Sequence, residues 1–147
     1  MRDYPSYCVA LKPVDFFLPS EEVDEEAVRC LAAAIARAGM WTTPIPVDRE
    51  TGIIMEGNHR ARAAVLLGLH YLPCVLLGYR DPRVVVTHWR SGEPFCVDSI
   101  QRQILLHKKR FPYKTTRHLF APALPETEIQ LAMLRGTAQA LSDIPLR

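Results

Sequence analysis

Ile53-Ile54-Met55-Glu56-Gly57-Asn58-His59-Arg60 runs an apolar stretch into a glycine and on into an alanine- and leucine-rich segment that Gly68 closes. A strand turning into a helix over 59–67 is the expected local structure. Gly57 removes the side chain at the turn, so backbone N–H groups can approach a ligand closely. The first N–H groups of the helix lack intrahelical partners, and the helix dipole favours negative charge there. Arg60 adds a planar fork suited to phosphate oxygens. His59 can donate a hydrogen bond or carry a proton. Glu56 is a candidate magnesium ligand, since magnesium prefers carboxylate and water oxygens. From these residues alone two readings stay open: an anion cradle, or a plain tight turn with Arg60 paired to a surface carboxylate.

Upstream, Pro44-Ile45-Pro46-Val47 reads as a short strand, Asp48 to Gly52 as a turn, and Ile53-Ile54-Met55 as the return arm of a hairpin. Before it, Asp24 can cap a helix whose first turn carries Glu25 and Glu26. Val28, Leu31, Ile35 and Ala38 mark one face at helical spacing, and Gly39 stops the helix. Residues 8–17 read as an opening strand with Pro13 near a bulge or edge. Downstream, Leu72 to Tyr79 and Val84-Val85-Val86 are strands. Asp98 can cap a helix that turns Ile100, Ile104 and Leu105 inward, and 125–135 reads as a last helix. The end of the chain reads as loose or packed on a partner. The fold class expected is a mixed α/β domain, a small mixed sheet flanked by helices.

At 147 residues the chain is expected to be one domain, with a core over about 8–90 and a helical C-terminal segment over 96–147. The 48% hydrophobic and 23% charged fractions are ordinary for a globular protein. No apolar run approaches membrane-spanning length and the start has no signal-peptide core, so the expectation is a cytoplasmic protein without a membrane partner. A net charge of +2 gives no argument for nucleic acid. Cys8, Cys30, Cys74 and Cys96 form no CxxC pair, which argues against zinc and against a disulfide framework. Cys30 and Cys74 read as small core residues.

A second motif, Lys114-Thr115-Thr116-Arg117-His118, follows a basic, proline-marked loop. Lys114 and Arg117 supply charge, Thr115 and Thr116 hydroxyl donors, and His118 a further donor. Such a cluster can bind a carboxylate and a transferred phosphoryl group together. The bland reading is a solvated basic loop, because Lys108-Lys109-Arg110 already makes a charge run.

Taken together, several segments resemble the ParB/sulfiredoxin superfamily. They are Pro19-Ser20-Glu21-Glu22-Val23-Asp24 leading into a helix, the Pro-Ile-Pro-Val strand, the hairpin, the Gly57-Asn58-His59-Arg60 helix start, and Leu67-Gly68 before another strand. The branch most resembled is that of the free serine kinases, which carry an acidic residue, Gly, any residue, His and Arg at the helix start. The resemblance continues at Tyr79, Val84–Val86 and Trp89, and at Phe111-Pro112-Tyr113 with the second motif.

That branch implies a kinase, a phosphotransferase acting on the hydroxyl of free L-serine or a similar small amino acid, with ATP or ADP and magnesium. It implies that Glu21, with Glu22 as the near alternative, accepts the hydroxyl proton. Glu56 would hold or orient the metal. Gly57, Asn58, His59 and Arg60 would cradle nucleotide phosphates. Trp89, Lys114, Thr115, Thr116, Arg117 and His118 would hold the substrate, although a lone Trp at a strand end is also ordinary core. The partners implied are a nucleotide and a small amino acid, with a homodimer left open.

Three departures stand out. Glu56 replaces the usual aspartate, Asn58 replaces the more usual His or small residue, and the stretch from Trp89 to Lys114 is short. A sulfiredoxin would need a cysteine where Asn58 stands. The rival reading is a ParB-like nucleotide-binding regulatory or DNA-associated module without turnover.

Overall fold

The computed structural model describes residues 6–136. Its elements are β1 (Cys8–Pro13), a 3-10 turn (Val14–Phe16), α1 (Glu25–Ala38), β2 (Met40–Trp41), β3 (Ile45–Asp48), α2 (Asn58–Leu66), β4 (Tyr71–Leu77), β5 (Val84–His88), α3 (Val97–Gln101) with a π-helical continuation (Arg102–Leu106), β6 (Thr116–Phe120), β7 (Ile129–Gln130) and α4 (Leu131–Leu134). This is the mixed α/β domain expected. Among the described residues no helix is long and apolar enough to cross a membrane.

β4 is the centre of the main sheet, antiparallel to β1 and parallel to β3. The parallel pair needs a crossover, and α2 supplies it. All four residues of β3 are buried, so this strand, although it stands at the edge of the sheet, is covered on both faces, unlike a half-exposed hairpin arm. The expected hairpin survives only as one antiparallel bridge, Val47 to Ile54, while Ile53 bridges Leu18.

Side chains of β4 alternate between two cores, as strand geometry demands. Leu72 and Cys74 face the cluster with Val28, Ile35, Ala63 and Ala64 of α1 and α2. Val75 and Leu77 face a second cluster with Ile53, Met55, Val84, Val86, Ile100 and Ile104. α1 begins at Asp24, whose carboxylate accepts from the Glu26 and Ala27 N–H groups, and ends at Gly39 with φ +73°. Its buried stripe is Val28, Ala32 and Ile35, with Leu31 half-buried and Ala38 exposed.

Several expectations need correcting. The opening strand ends at Pro13, where the 3-10 turn begins. Cys30 is exposed, because it lies off the buried stripe of α1, whereas Cys74 is buried. α3 starts at Cys96 without a side-chain cap, and Leu105 is exposed. The C-terminal segment is helical only in α3 with its continuation and in the short α4 among the described residues. The expected helix over 125–135 is confined to α4 (Leu131–Leu134), and the residues just before it form β7, which pairs with β2 at Trp41 and Ile129. The second motif leads into a strand, β6, paired antiparallel with β5 over Val84–Phe120 to His88–Thr116. Residues 1–5 and 137–147, including the expected loose end, lie outside the described residues.

Candidate active site

α2 begins directly after Gly57, which has φ +97°. A Cβ there would meet only Ile45 side-chain carbons at ordinary distances, so the positive φ, rather than crowding, calls for glycine. The α2 N-terminus opens on a cavity of about 230 Å³. Glu56, Gly57, Asn58, His59 and Arg60 line one side of it. Lys114, Thr116 and Trp89 line another, and Glu21 and Glu22 a third. His59 and Thr116 therefore share one space, although 57 positions separate them (116 − 59).

Glu21 ties the two motifs together. Its Oε1 accepts from the Lys114 N–H at 3.3 Å, and its Oε2 accepts from the Thr116 N–H at 3.0 Å and the Thr116 hydroxyl at 2.9 Å. Those are three of the roughly four acceptor sites of a carboxylate. Glu22 is exposed, and its N–H donates to the Phe111 carbonyl at 2.8 Å. This backbone pairing orients Glu21 toward the second motif.

Glu56 Oε1 accepts from the His118 N–H at 2.7 Å. Its Oε2 has no hydrogen-bond partner among the described residues. No cluster of three metal-ligating side chains occurs among them either. A magnesium ion held here would draw the rest of its shell from water and ligand oxygens, which is usual for that ion.

His59 Nε2 accepts from the Asp24 N–H at 3.1 Å, which puts the proton of the neutral ring on Nδ1. Its ring lies 5.0 Å from that of Tyr113. Arg60 has no carboxylate within ion-pair distance among the described residues; Arg62, two positions on, takes Glu25 at 3.7 Å instead. The tight-turn reading with a paired Arg60 therefore lacks its pair.

Asn58 behaves differently from a ligand group. Its Oδ1 accepts from the Ser20 N–H at 2.9 Å and the Glu21 N–H at 3.4 Å, and its Nδ2 donates to the Ser20 hydroxyl at 3.1 Å. The backbone at Gly57 and Arg60 line the same cavity, and Arg60 has no ion pair among the described residues.

Trp89 carries two cations over its ring, Lys114 Nζ at 5.6 Å and the Arg117 guanidinium carbon at 4.2 Å. Lys114 adopts φ +61°, a strained value for a residue with a Cβ. The strain sits where its N–H reaches Glu21.

Three expected site residues do not line the cavity. The Thr115 hydroxyl donates to the Pro112 carbonyl at 2.6 Å, which closes its own loop. Arg117 lies on the exposed face of β6. His118 is buried behind Glu56, with its Nδ1 3.6 Å from Glu56 Oε1, and neither ring nitrogen has a hydrogen-bond partner. Tyr79 packs on that ring at 5.7 Å. Burial, followed by the charges of Asp48 and Glu56, pushes the Tyr79 phenol well above its usual range.

Tyr113, Leu31 and Ser20 are the contributors that sequence reading passed over. Tyr113 stood inside the resembling string, and its aromatic ring beside Lys114 was the signal available. Ser20 gave none, because its role depends on burial. A larger cavity of about 710 Å³ lies along Asp48, Tyr79 and Asp98, but it meets neither motif.

No family model matches the chain. It is 25% identical over 138 residues to an ATP-dependent L-serine kinase of Desulfurococcus mucosus, which covers 88% of this chain and 54% of that protein. It is 37% identical over 55 residues to a ParB-like protein of Sulfolobus acidocaldarius, which covers 37% of this chain and 28% of that protein. The chain thus spans about half the length of the first relative and little more than a quarter of the second. Its fold superposes on a free serine kinase variant solved in complex with AMP, with a TM-score of 0.75 and 12% identity, over 90% of this chain and 97% of that one. The fold is therefore shared with the free serine kinases, and the similarities fall among kinase and ParB-like proteins, as the motifs implied.

Proposed function

We propose that the cleft transfers a phosphoryl group from ATP or ADP to the hydroxyl of free L-serine or a similarly small amino acid. The observation that carries this reading is the convergence of Glu21, the α2 N-terminus and the start of β6 on one cavity. The similarity to an ATP-dependent L-serine kinase and the fold shared with an AMP-bound free serine kinase support it.

Phosphoryl transfer asks the protein mainly for positioning and charge neutralisation. The N–H groups at the start of α2 and the Arg60 guanidinium hold the donor's phosphates. Lys114 brings positive charge from the opposite side. Glu56 Oε2 is the group that would hold a magnesium ion, which would supply charge neutralisation at the phosphates. Glu21 already accepts a hydroxyl hydrogen bond, that of Thr116, at 2.9 Å. Its remaining acceptor site takes the acceptor's hydroxyl. As that oxygen bonds to the terminal phosphorus, its proton passes to Glu21, and the bond to the bridging oxygen breaks to release the shortened nucleotide. Trp89 and Thr116 wall the acceptor's place.

Incubating the protein with magnesium, a nucleotide panel and free amino acids, with phosphorus NMR as the readout, tests this directly. The expected result is a new phosphomonoester resonance that appears only with a hydroxy amino acid. Its absence with every nucleotide sinks the kinase reading.

The 55-residue similarity to a ParB-like protein favours one second reading, a nucleotide-binding regulatory or DNA-associated module without turnover. Tight nucleotide binding without product, or DNA affinity that falls steeply with salt, would select it.

A further inference from the structure

We infer that Asn58 is a positioning residue for Glu21 and that the Asn58–Ser20 pair locks the base to the helix that cradles phosphate. The inference rests on the phosphoryl-transfer reading of the cleft, and it departs from the role in nucleotide binding that the motif alone implies for Asn58.

The hydrogen bonds leave little room for another role. Asn58 Oδ1 takes the N–H groups of Ser20 and Glu21, and Asn58 Nδ2 reaches the Ser20 hydroxyl. That hydroxyl, in a residue only 6% exposed, donates onward to the Ile54 carbonyl at 2.6 Å. The side chain of the first α2 residue thus closes a ring with Ser20 and ties it to the strand-like segment beside β3. The other flank of Glu21 is held separately, since the Phe111 N–H donates to the Ser20 carbonyl at 2.9 Å and the Glu22 N–H donates to the Phe111 carbonyl. Glu21 is therefore clamped from both sides, by α2 and by the segment leading into the second motif.

The consequence is mechanical. The donor's phosphates sit on the N–H groups that begin α2, and the base hangs from the side chain of the same helix's first residue. One rigid element sets the distance between base and phosphorus. A displacement of about 1 Å at such a site can cost about a hundredfold in rate. Ser20 does not line the cavity, so a change there reaches turnover through the Asn58–Glu21 linkage rather than by contact with a ligand.

The test uses Asn58→Ala and Ser20→Ala in the full chain, with kcat and nucleotide KM measured separately. Asn58→Ala should lower kcat by about 10- to 100-fold with nucleotide KM within about twofold. Ser20→Ala should shift kcat the same way by a smaller factor. A raised nucleotide KM with kcat unchanged in Asn58→Ala, together with normal turnover in Ser20→Ala, overturns the inference in favour of a direct phosphate contact.

Amide hydrogen exchange supplies a readout independent of turnover. Exchange at Ser20 and Glu21 should accelerate at least about tenfold in Asn58→Ala, while amides of β4 stay protected. Unchanged exchange at those two amides overturns the inference even if activity falls. If the unsubstituted protein makes no phosphomonoester, the kinase reading fails, and the exchange result still decides whether Asn58 holds Glu21. Should Asn58→Ala not fold, Ser20→Ala carries both measurements.

Discussion

Glu21 is where one atom changes most. Three donors converge on its two oxygens, and two of them are backbone N–H groups that cannot turn away. Glu21→Gln replaces one acceptor oxygen with an NH2 group that must face a donor. The variant should lose about 1–3 kcal/mol of stability from that mismatch alone, read as a lower melting temperature. Its turnover should fall about a hundredfold or more, because the proton acceptor is gone, while nucleotide affinity by calorimetry stays near normal. Equal losses of affinity and turnover would contradict the assigned role. Sequence reading could not separate Glu21 from Glu22, since both precede the same cap. Their difference is the Glu22–Phe111 backbone pairing, a contact between segments nearly ninety positions apart (111 − 22 = 89). The roles of Asn58 and Ser20 were hidden for a similar reason, because a buried serine is recognisable only once its burial is known.

At the scale of elements, α1 and α2 were legible because their signals are local. Asp24, Gly39 and Gly57 each act within a few residues of where they stand. β6 was not legible. Its inward residues are Thr116 and His118, both polar, and its outward ones include Arg117, so the alternation that reveals a half-buried strand is reversed in character. Its partner β5 lies far off in sequence, and only pairing makes the segment a strand. The α2 start gives an element-level prediction. Gly57→Ala leaves room for the methyl beside Ile45 but forces a Cβ into φ +97°. The expected cost is about 1–2 kcal/mol of stability from the backbone alone. Nucleotide affinity should fall with it, since the turn sets where the first N–H groups point. A melting curve and a binding isotherm check both, and a variant as stable as the parent would show that the turn can relax. The packing of β4 gives another. Cys74 is buried and its thiol is pushed up to about 12, chiefly by burial, while Cys8, Cys30 and Cys96 are exposed. A thiol reagent should label three cysteines quickly in the folded protein and a fourth only on unfolding. Rapid labelling of all four would contradict the packing of β4.

The whole molecule has two cores on opposite faces of one small sheet, and the cavity lies where groups from both sides meet. α2 packs in the first core, whereas β6 pairs with β5, which belongs to the second. Few strands tie these layers, and Glu21 with Glu56 provides much of the polar link, through Thr116 and His118 respectively. A ligand that touches the α2 start and Lys114 at once would therefore stabilise the native state as a unit. By mass action, nucleotide with magnesium at a hundred times its Kd should add about 2.7 kcal/mol. For a domain of this size that is a rise of several degrees in melting temperature. Arg60→Ala should abolish most of the rise at the same ligand concentration while leaving the ligand-free melting temperature nearly unchanged, because Arg60 makes no ion pair among the described residues. A full shift retained in Arg60→Ala would move the phosphates away from the α2 start, and with them the geometry on which transfer to an acceptor beside Glu21 depends.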